Sequence, residues 1–179
     1  MLFTVFVDAD SVKKDLRTII LNASVRLKCP VVFVADRMLK DVRLFIERDT
    51  SRLRAEMNDR QNRSIKSAVQ MIVVETGMNS ADEKIISLAR KNDLCITHDI
   101  ILAGKLVLKG CFVIDDRGNE FNSDNIKSRI MDRNVNEQLR EMGVFDNQSN
   151  KTGMRALHDF ASSFDRITSY LSKDVCCGK

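Results

Sequence analysis

Short apolar runs alternate with helical patterns along most of the chain. Five runs of four or five residues are continuously apolar, which is typical of parallel strands covered on both faces. They predict strands at 3–7, 31–35, 71–74, 94–97 and 111–114. Amphipathic patterns predict helices at about 11–28, 38–68, 80–92 and 100–109. The order predicts an α/β fold of three layers, with a mainly parallel, about five-stranded sheet and right-handed crossovers.

The C-terminal part of the chain has a different pattern. From about residue 122 onward it is purely helical, and the segment 146–152 is polar and reads as a loop. The last helix carries one apolar stripe at helical spacing, which predicts core packing: Leu157, Phe160, Phe164, Ile167 and Leu171. We therefore expect one α/β domain over 1–145, with a charged insertion at 47–67. The loop and helix of 146–179 are expected to pack on this same domain.

Composition narrows the class of protein. The 179 residues are 44% hydrophobic and 30% charged, which favours a globular domain over disorder. No apolar run approaches the roughly 18 residues that a membrane span needs. Asp8 comes too early for a signal peptide, and the five cysteines form no CxxC pair. We expect a cytoplasmic protein with reduced cysteines and no membrane partner.

The net charge of +4 is concentrated in one segment. The segment from Arg37 to Lys66 contains nine basic and five acidic residues, and the rest of the chain has no net charge. One interpretation is a nucleic-acid surface that includes Arg37, Lys40 and Arg43. The other is a solvated helix face joined by pairs of opposite charge four residues apart.

Acidic residues follow all five predicted strands. The carboxyl ends of parallel strands meet at one edge of a sheet, where binding sites form. Crowded carboxylates resist ionisation unless a cation offsets them, and hard oxygen ligands suit Mg²⁺ or Mn²⁺. Such a site can activate water toward a phosphodiester. The residues concerned are Asp8, Asp10, Asp36, Glu75, Asp99, Asp115 and Asp116, with Asp82 at the start of the helix after the third strand.

Several of these residues also have a structural interpretation. Asp10 or Ser11 could cap the helix at 11–28, and Asp99 could cap the helix that begins at Ile100. The segment Ser80-Ala-Asp-Glu83 fits a capping box, in which we favour Glu83 as the cap and Asp82 as the metal ligand.

The last strand end offers a further structural interpretation. Asp115 and Asp116 could be turn residues before Gly118. His98 shows no orienting partner in the sequence, so we expect it to neighbour the site rather than to act as a base.

Three segments resemble the YaiI/YqxD family of PIN-like domain proteins: Val7-Asp-Ala-Asp10, Ser80-Ala-Asp82 and 93–103, which reads DLCITHDIILA. Further matches are Arg117-Gly118, Asn125-Ile126, Arg133, Leu139-Arg140, Gly143 and Thr152-Gly153. The chain departs from the family where Ser11-Val-Lys13 replaces Cys-Pro and where Gly153-Met-Arg replaces Gly-Gly-Pro. The charged 47–67 stretch looks like an insertion.

The resemblance implies a parallel sheet wrapped by helices and an acidic cluster that binds Mg²⁺ or Mn²⁺. Active PIN proteins use such a cluster to cleave RNA or single-stranded nucleic acid. Carried over by matching position, the catalytic and metal-binding residues are Asp8, Asp10, Asp82 and Asp99. The resemblance adds Thr97 as a hydroxyl that supports these residues, and from their positions in the sequence we expect Glu83 and Asp116 to support them as well.

Three hypotheses for function follow. The first is a metal-dependent nuclease, and the second is a PIN-like module that binds RNA or protein without cleavage. The third is a phosphatase, because Asp8-Ala-Asp10-Ser-Val12 also resembles the opening of haloacid-dehalogenase-type enzymes. In that family the first aspartate is a nucleophile and the second a general acid, and Asp115 with Asp116 would bind the metal.

Overall fold

The computed structural model describes residues 3–56, 66–75, 77, 80–141 and 153–174. The centre of the expected insertion (57–65), the predicted loop at 146–152 and the cysteines at 176 and 177 lie outside these residues. The described elements, in chain order, are β1 (Val5–Asp8), α1 (Lys14–Leu27), β2 (Val31–Ala35), α2 (Lys40–Ala55), β3 (Val69–Val73), α3 (Ser80–Leu88), β4 (Leu94–Ile96), α4 (Ile100–Leu108), β5 (Phe112–Ile114), β6 (Glu120–Phe121), α5 (Ile126–Glu141) and α6 (Met154–Asp174).

The strands form one mainly parallel sheet in the order β3-β2-β1-β4-β5-β6. Strand β2 pairs with β1 and β3 pairs with β2, so the first three strands extend to one side of β1. Strand β4 pairs with the other side of β1. In this pairing Val7 lies opposite Ile96. The order of strands therefore reverses between β1 and β4, and ligands of open α/β sheets bind at such a switch point.

Alternating side chains of the strands pack into two separate cores. On one face, Val7 and Phe33 pack with residues of α1, α2 and α6. On the other face, Phe6 and Val34 pack with residues of α3, α4 and α5. Both faces are covered, which explains why the strands are continuously apolar and confirms the predicted three-layer α/β fold.

Two local predictions are corrected by the structure. The sheet has a sixth strand, β6, which pairs antiparallel with β5 and is only two residues long. Helix α1 begins at Lys14, and Lys13 occupies its N-cap position without a side-chain cap, so neither Asp10 nor Ser11 caps it. Both residues belong instead to the turn after β1, where the Ser11 hydroxyl donates to the Asp8 carbonyl.

Helix α6 packs its apolar stripe on the same sheet as the rest of the chain. Phe160 and Phe164 are fully buried in the core that also holds α1. Gly118, whose φ is +82°, lies against this helix, and a Cβ there would stand 2.7 Å from the Asp159 carbonyl oxygen. Only glycine fits both conditions. Among the described helices, none is long and apolar enough to cross a membrane.

Candidate active site at the carboxyl ends of the central strands

Asp8 is the last residue of β1 and is buried at the switch point. The hydroxyl of Thr97, just past β4, donates to Asp8 Oδ2 at 2.8 Å. The same hydroxyl oxygen accepts the backbone N–H of Asp99 at 3.0 Å. Thr97 therefore links the ends of the two central strands and fixes the orientation of the Asp8 carboxylate.

Asp99 has two roles at the start of α4. Its Oδ1 accepts the backbone N–H of Ile101 at 2.7 Å, which makes Asp99 the N-cap of the helix, as its spacing allows. The same oxygen accepts Nη1 of Arg133, from α5, at 3.1 Å. The cap holds the partly exposed carboxylate at the carboxyl end of β4.

Asp82 lies in the first turn of α3 and completes a group of three neighbouring carboxylates. Burial raises its pKa to about 6, with further contributions from the charges of Asp8 and Asp99 and an opposing one from Lys105. Asp82 therefore lies within the field of two carboxylates from separate parts of the chain.

The pKa of Asp8 is also raised. Burial is the largest cause and the charge of Asp10 adds to it, whereas hydrogen bonds from Thr97 and Ser11 oppose it. The ionised form of Asp8 is thus disfavoured despite its hydrogen bonds. A cation placed beside it would reverse that balance.

Asp10 lies further out than the other three. It is exposed, and its Oδ2 accepts the backbone N–H of Asp36 at 3.1 Å. Across the described residues, no set of three or more His, Cys, Asp or Glu side chains has the spacing of a metal site. The four-carboxylate metal site stays a prediction.

Glu83, which was predicted to support the carboxylates, is exposed on α3. The Ser80 hydroxyl donates to the carbonyls of Glu75 and Gly77, so it fastens the loop that precedes the helix.

His98 has a partner that the sequence alone does not reveal. Its Nδ1 lies 3.1 Å from Asp116 Oδ1, although the two residues are 18 positions apart. The hydrogen bond raises the pKa of His98 and lowers that of Asp116, and in both residues burial opposes the shift. His98 is thus an oriented imidazole at the rim of the site.

Asp115 belongs to a turn. Its Oδ1 accepts the backbone N–H groups of Arg117 and Asn119, and its Oδ2 accepts Nδ2 of Asn119, all at 2.8 Å. This confirms the turn interpretation for Asp115. A carboxylate with three short hydrogen bonds inside its own turn has a structural role.

The basic residues of the 37–66 segment are partly neutralised by their own neighbours. Arg37 and Lys40 are exposed, while Arg43 pairs with Glu47 one turn further along α2. Arg52 pairs in the same way with Asp49. These pairs match the interpretation as a solvated helix face, and the nucleic-acid surface stays a prediction.

The protein is an α/β protein with acidic side chains at the topological switch point of its sheet. Residues 40–170, more than half of the chain, match the family model described as uncharacterized BCR, YaiI/YqxD family. The chain belongs to this family. No solved structure gives a significant match.

Relatives extend the match to almost the whole chain. A UPF0178 protein of Trichlorobacter lovleyi is 30% identical over 172 residues, which cover 96% of this chain and 97% of the relative. A UPF0178 protein of Myxococcus xanthus is 33% identical over 169 residues, covering 94% of this chain and 96% of the relative. A UPF0178 protein of Nitratiruptor sp. is 31% identical over 170 residues, or 95% and 97% of the two chains.

Proposed function

We propose that this protein is a Mg²⁺- or Mn²⁺-dependent phosphodiesterase that cleaves RNA or other single-stranded nucleic acid. One observation carries the proposal: Thr97 links the carboxylate of Asp8 to the backbone N–H of Asp99 at the switch point, and the charges of both aspartates act on Asp82. Ionised Asp82 is disfavoured by its burial and by the charges of Asp8 and Asp99 in the metal-free protein. A divalent cation beside these carboxylates would remove that cost.

The donor atoms of the candidate ligands suit a hard cation by their chemical type. All of its atoms are carboxylate oxygens, which Mg²⁺ and Mn²⁺ prefer. Asp8, Asp82 and Asp99 would hold the ion, with Asp10 at the outer side. When bound, the metal would activate water and offset the charge that develops on a phosphodiester.

The chain's own residues prepare the carboxylates for this role. Thr97 holds Asp8 through a 2.8 Å hydrogen bond, and the backbone N–H of Ile101 holds Asp99 at 2.7 Å. Contacts of this kind orient metal ligands and limit the reorganisation needed on binding. Membership of the YaiI/YqxD family, and the resemblance of that family to PIN domains, favours nucleic acid as the substrate by analogy of fold.

We place this activity in the cytoplasm. Cys29, Cys95 and Cys111 are buried free thiols, which suits a reducing compartment. The phosphatase hypothesis has weaker support. Its metal pair would include Asp115, whose carboxylate is engaged in its own turn.

The decisive experiment is a cleavage screen over single- and double-stranded RNA and DNA with Mg²⁺ or Mn²⁺, comparing the parent protein with Asp99→Asn and Asp36→Asn. Asparagine preserves the cap on α4, so Asp99→Asn should fold normally. We expect Asp99→Asn to lose cleavage by about 100-fold or more. Asp36→Asn removes a carboxylate at the end of β2 and should retain activity.

Three results would overturn the proposal. Equal cleavage by Asp99→Asn and the parent would remove the cluster from the chemistry. Hydrolysis of small phosphomonoesters without nuclease activity would favour the phosphatase. Metal and RNA binding by calorimetry without any cleavage would favour the binding module.

A further inference from the structure

Helix α5 is held close to α4, and this contact positions Arg133. A Cβ on Gly104 of α4 would lie 3.3 Å from Ile130 Cδ1 of α5, so the absent side chain permits the close approach. Ile126, one turn before Ile130, is buried in the same core. Arg133 follows Ile130 by three positions and therefore lies on the same side of α5. There its Nη1 reaches Asp99 at the N-terminus of α4.

The ion pair between Arg133 and Asp99 contributes little to stability. Its single N–O distance is 3.1 Å, and both side chains are 36% exposed. Pairs of this kind contribute about 0–1 kcal/mol. The cap of α4 does not need Arg133 either, because Asp99 already accepts the N–H of Ile101. A contribution to the stability of the fold therefore does not explain why this position is an arginine.

The chemistry of the guanidinium gives a stronger reason. It carries five N–H donors in a planar fork that matches two phosphate oxygens, whereas within the described residues it meets Asp99 through one nitrogen. A phosphate that approaches three carboxylates also needs positive charge beside them. Lys105, nearly two turns along α4 from Asp99, is close enough to act electrostatically on Asp82. Positive charge from α4 and α5 therefore lies close to these carboxylates.

We propose that Arg133 binds a phosphate of the nucleic-acid substrate, with its guanidinium held beside the acidic cluster by Asp99 Oδ1. This inference rests on the proposed function for the identity of the substrate. It gives α5 a phosphate contact that one of the two interpretations of the basic segment gave to Arg37, Lys40 and Arg43.

The test compares Arg133→Gln and Arg133→Lys with Arg129→Gln, a control one turn earlier on the exposed part of α5. Binding is measured with a fluorescent single-stranded RNA in Ca²⁺, and Mn²⁺ affinity is measured separately without RNA. We expect Arg133→Gln to weaken RNA binding about tenfold, with Arg133→Lys recovering part of the loss. Arg129→Gln should change it less than about twofold, and the affinity for Mn²⁺ should not fall in any variant.

In a cleavage assay the loss should appear mainly in KM. The inference is overturned if Arg133→Gln binds RNA as Arg129→Gln does. It is also overturned if Arg133→Gln lowers the melting temperature and Mn²⁺ affinity together, because that result identifies a structural role. If the parent protein cleaves nothing, the proposed function fails. A tenfold loss of RNA binding in Arg133→Gln would still support the phosphate contact.

Discussion

The acidic edge of the sheet, where Asp8, Asp82 and Asp99 lie, differs from the basic helix α2 in how its charged side chains are paired. On α2, Arg43 and Arg52 have carboxylates within one turn of the same helix. At the acidic edge, Asp8, Asp82 and Asp99 come from β1, α3 and the start of α4, and the charges of Asp8 and Asp99 disfavour the ionised form of Asp82. Local neutralisation is typical of a solvated surface. Carboxylates gathered from distant parts of the chain are typical of a functional site.

Two aspartates make the contrast measurable. Asp82 has its pKa raised, while Asp41 of α2 has its pKa lowered: burial raises it, but the hydrogen bond and charge of Arg17 outweigh that effect. Opposite shifts predict opposite dependence of stability on pH. The same substitution, aspartate to asparagine, should therefore stabilise the protein at one site and destabilise it at the other.

The largest expected change comes from Asp82→Asn in the absence of metal. The folded protein keeps the Asp82 proton up to about pH 6, whereas the unfolded chain releases it near 3.8, so parent stability falls as pH rises between these values. A fully buried group would contribute about 3 kcal/mol, and solvent screening at this partly exposed one reduces that to about 1.5 kcal/mol. At pH 7.5 the variant should melt about 4 °C higher by calorimetry.

The control for this prediction is Glu83→Gln, which removes the adjacent, exposed carboxylate. It should leave the melting temperature unchanged. The gain in Asp82→Asn should shrink as the pH approaches 4, and Mn²⁺ should raise the melting temperature of the parent more than that of the variant. A gain that is the same at every pH would show that the pKa of Asp82 is not raised in the folded protein.

A somewhat smaller effect of opposite sign is expected for Asp41→Asn. Asp41 Oδ2 accepts Nε of Arg17 at 2.8 Å, and this partly buried pair joins α2 to α1. The stability it gives is present above about pH 4 and is lost as the pH falls through the lowered pKa. Urea unfolding at pH 7 should show a loss of about 1 kcal/mol, with exposed Asp132→Asn as the unaffected control. A variant as stable as the parent at pH 7 would contradict the pairing.

The smallest effect is expected for Arg43→Gln. Both partners of the Arg43–Glu47 pair are more than half exposed, so its loss should change the free energy of unfolding by less than about 0.5 kcal/mol. RNA affinity should change by less than about threefold, as it should in Lys40→Gln. A tenfold loss in either variant would instead make α2 the nucleic-acid surface and erase the distinction between the two regions.

Much of the fold was predictable because strands that are buried on both faces are continuously apolar in sequence. The run at 31–35 coincides with β2, because every residue of that strand is buried. Strand β6 was missed because two residues are too few for a periodic pattern. The start of α1 was misplaced because Asp10 and Ser11 have the composition of caps, yet their oxygens serve the turn and the neighbouring strand end.

The site was predictable only in outline. Topology brings strand ends together, and so the neighbourhood of Asp8, Asp82 and Asp99 follows from the order of the elements. The partners of His98 and Asp99 do not, since Asp116 and Arg133 reach them across 18 and 34 positions. A clue to Arg133 was present in its helical spacing from the apolar Ile126 and Ile130. That spacing indicates that the three residues lie on one side of a helix, but it does not indicate which residues this side contacts.

The hydrogen bond from Thr97 to Asp8 joins residues 89 positions apart, and this separation has a consequence for synthesis. At about 5–20 residues per second, a ribosome needs roughly 5 to 20 seconds to make the intervening chain. During that interval β1 can pair with β2, while Asp8 still lacks the residues that orient it. A nascent or truncated chain that ends before β4 therefore contains Asp8 without the threonine that orients it, and the arrangement at this edge of the sheet forms only after more than half of the chain has been made.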